Sequence, residues 1–222
     1  MLGKISKALI GIILIPVVIG ISISFFESLT GIGEAKNTGS KIFLLGALSY
    51  VIMHLFIIKP NYIYTLGHEI MHVVATWLCG GGVRSFKVTK EGGAVEATKS
   101  NTFINLSPYF VPTFTLILSI LYFIIPVFLK IKNLQTIYFF AAGFTLALHL
   151  VFTADVLKRE QPDIINTGYL FSLVMIYIVN VLLVGFILCL LFEGVSFEKF
   201  FYNTYIHSKF IYVKVFKQLF FL

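Results

Sequence analysis

Charge is what this chain has least of. Only 12% of its 222 residues are Asp, Glu, Lys or Arg, while 58% are hydrophobic. A soluble domain carries about 25% charge and roughly 45–50% apolar residues. With half the usual charge the chain cannot cover its own surface with water-compatible groups, which excludes an ordinary soluble domain, a disordered chain and a coiled coil. Cysteine is almost missing too. Cys79 and Cys189 stand far apart in apolar runs, which excludes a disulfide framework and a cysteine metal site. Aspartate occurs only as Asp155 and Asp163. The net charge of +7 comes from Lys and Arg lying between apolar runs, where anionic lipid headgroups rather than nucleic acid are their partners. What remains is an all-α integral membrane protein, short enough to be a single membrane-embedded domain over 1–222.

What is present is a series of apolar runs. About 20 apolar residues cross the hydrocarbon core as a helix. Six stretches have this character, at about 8–26, 42–58, 62–79, 102–129, 134–157 and 167–192. Pro16 is expected to bend the first, and Pro108 and Pro112 to make the start of the fourth irregular. A polar loop over 27–41 separates the first two. Gly80, Gly81 and Gly82 end the third, since glycine accepts the left-handed conformation past a helix end. The segment 83–100 alternates Val83, Phe86, Val88, Val95 and Ala97 with charged residues around Glu91-Gly92-Gly93, the pattern of a short β-hairpin. The tail at 196–222 mixes aromatics with Lys199, Lys209, Lys214 and Lys217 and is expected at the headgroup level of the lipid bilayer. An even number of spans puts both termini on one side. Nine basic residues on one face against eight on the other leave the positive-inside rule silent about which side that is.

The third run carries the chemistry. It reads Thr65-Leu66-Gly67-His68-Glu69-Ile70-Met71-His72, which contains H-E-x-x-H. On a helix, positions i and i+4 share a face, so the two imidazoles can hold one Zn²⁺, and the adjoining glutamate can serve as a base. At this composition chance produces the pattern in roughly one such sequence in 250. Placing a charge at the centre of a span costs roughly 2.5–3.5 kcal/mol on insertion scales, so ionisable groups there mark function. A catalytic zinc takes three protein ligands. Asp155 lies near the end of the fifth run and Asp163 in the connection after it, on the face that the end of the third helix reaches, so both are candidates for the third ligand.

With these elements in order, the chain resembles the site-2 protease-like zinc metalloproteases of membranes, and among them the small, minimal bacterial branch. The matching elements are His68-Glu69-x-x-His72, Gly80-Gly81-Gly82 with the hairpin, Ser107-Pro108-Tyr109, and Gln161-Pro162-Asp163-Ile164 followed by Gly168; together they cover about 62–180. The Asn-x-x-Pro…Leu-Asp-Gly segment of better-known members is absent. The minimal branch has a Gln-x-Asp segment before a glycine instead, so the resemblance implies Asp163 rather than Asp155 as third ligand beside His68 and His72. It further implies Zn²⁺ as cofactor, Glu69 as general base and peptide-bond hydrolysis in a membrane protein or peptide substrate. The location it implies is a multi-pass protein of the bacterial cell membrane.

Other polar residues carry less. His54 and His149 read as packing contacts, with His149 near enough to the metal end of its helix to support a ligand. His207 reads as solvated. Asn105 and Asn180 read as interhelical hydrogen-bonding groups, and Asn105 could also line the site. Two further functions stay open on the same scaffold: a zinc-binding transporter or sensor, and an inactive adaptor. Glu69 separates them from a hydrolase, because a metal carrier has no need of a base beside its ligands.

Overall fold

A computed structural model of the chain describes residues 3–30, 38–89 and 92–220. Residues 31–37 of the expected loop, residues 90–91 of the hairpin turn and the last two of the tail lie outside the described residues. The described residues are mostly helical, with one two-stranded antiparallel hairpin. In chain order the elements are α1 (Lys4–Ile13), α2 (Ile15–Thr30), α3 (Thr38–Phe56), α4 (Asn61–Leu78), β1 (Val83–Val88), β2 (Gly93–Ala97), α5 (Thr102–Phe110), α6 (Thr113–Phe128), α7 (Leu134–Val156), α8 (Pro162–Thr167), α9 (Tyr169–Leu191) and α10 (Phe197–Phe220). Polarity is distributed as lipid demands. Large apolar side chains such as Phe123, Val127 and Phe128 point outward, while Ser40, His54, Glu69, Thr76, His149 and Thr153 are buried.

Among the described residues three helices, α3, α7 and α9, are long and apolar enough to cross a membrane, and five spans result if two bent pairs each count as one. The six expected runs thus reduce to between three and five by length and composition. The difference is α4, which has the length but whose apolar character is diluted by His68, Glu69 and His72. The bend expected at Pro16 occurs between α1 and α2 and measures 40°. The fourth run is broken more sharply, with α5 and α6 meeting at 71°. Val111 precedes Pro112 and is extended (φ −105°, ψ 117°), as the steric bulk of a following proline requires.

The helices pack as two compact units, residues 1–37 with 166–222 and residues 38–165. In the first, α10 runs antiparallel to α2. Asn203 and His207 donate to the Glu27 carboxylate at 2.9 and 3.0 Å, and Ser208 lies against Gly20. Asn180 donates to the Ile176 carbonyl of its own helix. In the second unit α3 and α7 touch backbone to backbone. A side chain on Gly46 would strike the Phe140 carbonyl and one on Gly143 the Phe43 carbonyl, the small-residue contact by which helices associate in lipid.

Within the second unit, α4 ends where the glycines predict. Gly80 is left-handed (φ 68°), Gly81 N–H reaches the Thr76 carbonyl at 2.8 Å and Gly80 N–H the Trp77 carbonyl at 2.9 Å, which is a Schellman ending. The hairpin follows at once, with Phe86 opposite Val95 and Val88 opposite Gly93, and both strands pack on α4. Asn101 then caps α5 by accepting from the Ile104 N–H at 2.8 Å. The connection expected over 158–167 is partly ordered as α8, with Pro162 at its first position, where a missing N–H costs nothing.

Candidate metal centre

His68 and His72 project from one face of α4, their rings 4.9 Å apart and nearly perpendicular. Across from them α8 presents Asp163. Its Oδ2 stands 3.2 Å from His72 Nε2 and 3.6 Å from His68 Nε2. Ligand atoms on a tetrahedral Zn²⁺ with bonds of about 2.0–2.1 Å lie about 3.3 Å apart. The two separations bracket that edge. Among the described residues this is the only group of three or more His, Cys, Asp or Glu close enough to share an ion, all three ligand atoms lying within 4.8 Å of one another.

The hydrogen bonds around the group sharpen the chemistry. His72 Nδ1 donates to the Ile104 carbonyl at 2.9 Å. A carbonyl can only accept, so Nδ1 carries a proton and Nε2 turns its other function to Asp163. That nitrogen either bears a second proton, giving an imidazolium–carboxylate pair, or offers a lone pair to a cation held between the two. A lone pair facing a carboxylate with nothing between would be repulsive. The donor set of two imidazoles and one carboxylate suits Zn²⁺, and other divalent metals accept the same atoms. Burial opposes ionisation of Asp163, but hydrogen bonds and charge from His68 and His72 outweigh it and hold its carboxyl well below the usual carboxylate range. The carboxylate is 29% exposed, so the group is open on one side.

Glu69 is 6% exposed, and His72 and Asp163 are within electrostatic reach of it. Its cover is the first residue of β2. An ideal Cβ on Gly93 would come within 2.7 Å of both Glu69 Cδ and Oε1, so the hairpin backbone rests directly on the carboxylate. Tyr109 of α5 meets the His68 ring edge to face at 5.0 Å. The broken fourth run thus supplies a carbonyl to one imidazole and an aromatic wall to the other.

Asp155 is elsewhere. Its carboxylate pairs with His54 at 3.1 Å, Lys59 at 3.1 Å and Lys158 at 3.0 Å, and Tyr50 bonds the far nitrogen of His54 at 3.0 Å. This network joins the turn before α4 to the ends of α3 and α7. His54 is therefore a partner of Asp155, and Asn105 bonds Ser100 at the foot of α5, while His207 is engaged with Glu27. Sequence reasoning missed three contributors to the centre: the Ile104 carbonyl, Gly93 and the Tyr109 ring as a wall. Main-chain groups leave no mark in a pattern of side chains, and Gly93 read as turn punctuation. Only Tyr109 was visible, as part of Ser107-Pro108-Tyr109.

No known family, characterised protein or solved structure matches this chain. Its chemistry has to be read from the centre itself.

Proposed function

We propose that the chain is a membrane-embedded zinc endopeptidase. The observation that carries the proposal is the placing of Asp163 at tetrahedral-edge distance from both histidines of H-E-x-x-H, with the adjoining glutamate held beside them. His68, His72 and Asp163 would hold Zn²⁺. Such an ion supplies Lewis acidity, acidifying water and polarising a carbonyl. Glu69 takes the proton of the attacking water as its oxygen bonds to the scissile carbonyl carbon, then delivers that proton to the departing nitrogen as the C–N bond breaks. A neutral amine and a carboxylic acid result, and Glu69 is regenerated. Water enters on the Asp163 side, the open side of the group.

The membrane placement is supported by the outward apolar surface and by three to five spans. With each bent pair crossing once and α4 sheltered inside its own unit, the count becomes six. A substrate helix hides its peptide bonds and must be extended before attack. The exposed hairpin, packed on α4 beside Glu69, suits strand addition of an extended segment of a membrane protein or peptide. Resemblance to the minimal site-2 protease-like branch favours the bacterial cell membrane.

The test is proteomics of membranes bearing the wild-type chain or Glu69→Gln. Fragments cut within spans should appear only with the wild type, and both proteins should bind one zinc. Equal cleavage by the variant would refute Glu69 as base. Zinc binding without any cleavage by either protein would favour a transporter or sensor, and absence of bound metal would favour an adaptor.

A further inference from the structure

The two zinc-facing histidines differ in what holds them. His72 gives its Nδ1 proton to the Ile104 carbonyl. His68 Nδ1 is buried and makes no hydrogen bond among the described residues, although its Nε2 faces Asp163. A histidine that binds metal through Nε2 must carry its proton on Nδ1, and metal-binding histidines almost always give that proton to an acceptor. Around His68 the structure has a cavity of about 10 Å³ in place of an acceptor. It is lined by Tyr64, Gly67, Pro108, Thr113, Thr145 and His149, among others. That is the room one water needs, provided the walls offer it two or more polar partners.

The walls do so. His149 is a buried side chain of α7 facing the same cavity as His68. Thr113 donates its hydroxyl proton to the Gly67 carbonyl at 3.1 Å, so its oxygen retains lone pairs for a further donor. Thr145, one helical turn before His149, also lines the cavity, its hydroxyl bonded to the Ala141 carbonyl at 2.9 Å and to the Thr115 hydroxyl at 3.0 Å. His68 Nδ1 is a buried polar atom at this cavity without a hydrogen bond, and leaving such an atom unsatisfied is costly.

We propose that His149 is a positioning residue for His68, acting through one ordered water in this cavity that accepts the Nδ1 proton and donates to the His149 ring. The water fixes the tautomer that leaves Nε2 free for metal and sets the ring orientation. Ile104 does the same for His72 directly. The asymmetry has a purpose in the fold: α5 can bring a carbonyl to His72, whereas His68 faces α6 and α7, whose carbonyls are committed within their own helices. The inference rests on the zinc reading.

The experiment measures zinc affinity by chelator competition, and the visible spectrum of the Co²⁺-substituted protein, for wild type, His149→Leu and His149→Gln. Leucine cannot receive the water's hydrogen bond, whereas the glutamine carbonyl can. Zinc should bind 10–100-fold more weakly to His149→Leu, with shifted Co²⁺ bands, and within a few-fold of wild type to His149→Gln, with bands unchanged. A merely structural histidine would lower thermal stability in both variants and leave affinity and spectrum alone. If the leucine variant does not fold, His149→Phe takes its place. Wild-type affinity in the apolar variant, or equal weakening in both variants, overturns the role of His149 while the zinc reading stands. A wild-type protein that binds no zinc overturns both.

Discussion

Gly93 offers the sharpest perturbation of the centre, because the three atoms nearest to an added methyl group there all belong to Glu69 and none to His68, His72 or Asp163. A Cβ at this position would lie 2.7 Å from Glu69 Cδ and Oε1, and closer still to Cγ. Non-bonded carbon atoms rest at about 3.5–4.0 Å, so either the carboxylate or the strand has to move by about 1 Å. Glu69 is 6% exposed, so its carboxylate has to shift within a packed interior, and β2 is tied to β1 along its length. Misplacing a reacting group by about 1 Å costs on the order of 10²-fold in rate, equivalent to about 2.7 kcal/mol of barrier. On the peptidase reading, Gly93→Ala therefore lowers kcat on a membrane substrate about 10²-fold, while His68, His72 and Asp163 still bind one zinc. The assay is cleavage of a span-containing peptide in lipid nanodiscs, with metal content measured on the same samples. Gly92→Ala is the internal control, since a Cβ there meets nothing within 4 Å and should leave the rate unchanged. Wild-type turnover in Gly93→Ala would refute the idea that the hairpin sets the position of Glu69. Equal loss in both variants would point to the turn instead.

Other outcomes follow from the same geometry. Asp163→Asn should lose zinc, while Asp155→Asn should retain it and lower the unfolding temperature by only a few degrees, because Lys59 and Lys158 are exposed and their pairs are weak; zinc retention by the first variant would eliminate Asp163 as ligand. Gly143→Val forces α3 and α7 apart at the Phe43 carbonyl and should destabilise the protein by about 1–3 kcal/mol or more, seen as a lower melting temperature in detergent; an unchanged melting curve would mean the two backbones are not in contact. Val95→Pro removes a strand N–H from the hairpin and should reduce cleavage of a membrane substrate without removing zinc, whereas undiminished cleavage would exclude strand addition at this site.

Much of the local structure was readable in advance because its causes are local. The Gly80 helix end follows from one residue's freedom to take positive φ, and the hairpin from alternation around two glycines. The break before Pro112 was visible only as irregularity. Its 71° angle depends on where α5 finds a surface to pack on, and that surface is α4. The order at α8 was likewise hidden, because six residues without periodicity look like a polar connection. The contribution of α10 along α2 could not be read from a tail of aromatics and lysines, since the Glu27–His207 contact joins residues 180 positions apart.

The sequence by itself determined that this is an apolar helical protein and that His68, Glu69 and His72 share a helical turn. Composition and a helix period of 3.6 residues suffice for both, as each concerns neighbours in the chain. Tertiary structure decided which aspartate meets those histidines. Asp155 and Asp163 are the same residue type, eight positions apart, and only packing sends one to His54 and two lysines and the other to His72, 91 residues away. It also set Gly93 on Glu69, Ile104 behind His72 and the His149 cavity behind His68. Those contacts arise between elements rather than within them, where backbone shape and close packing, invisible to any spacing rule, choose the partners.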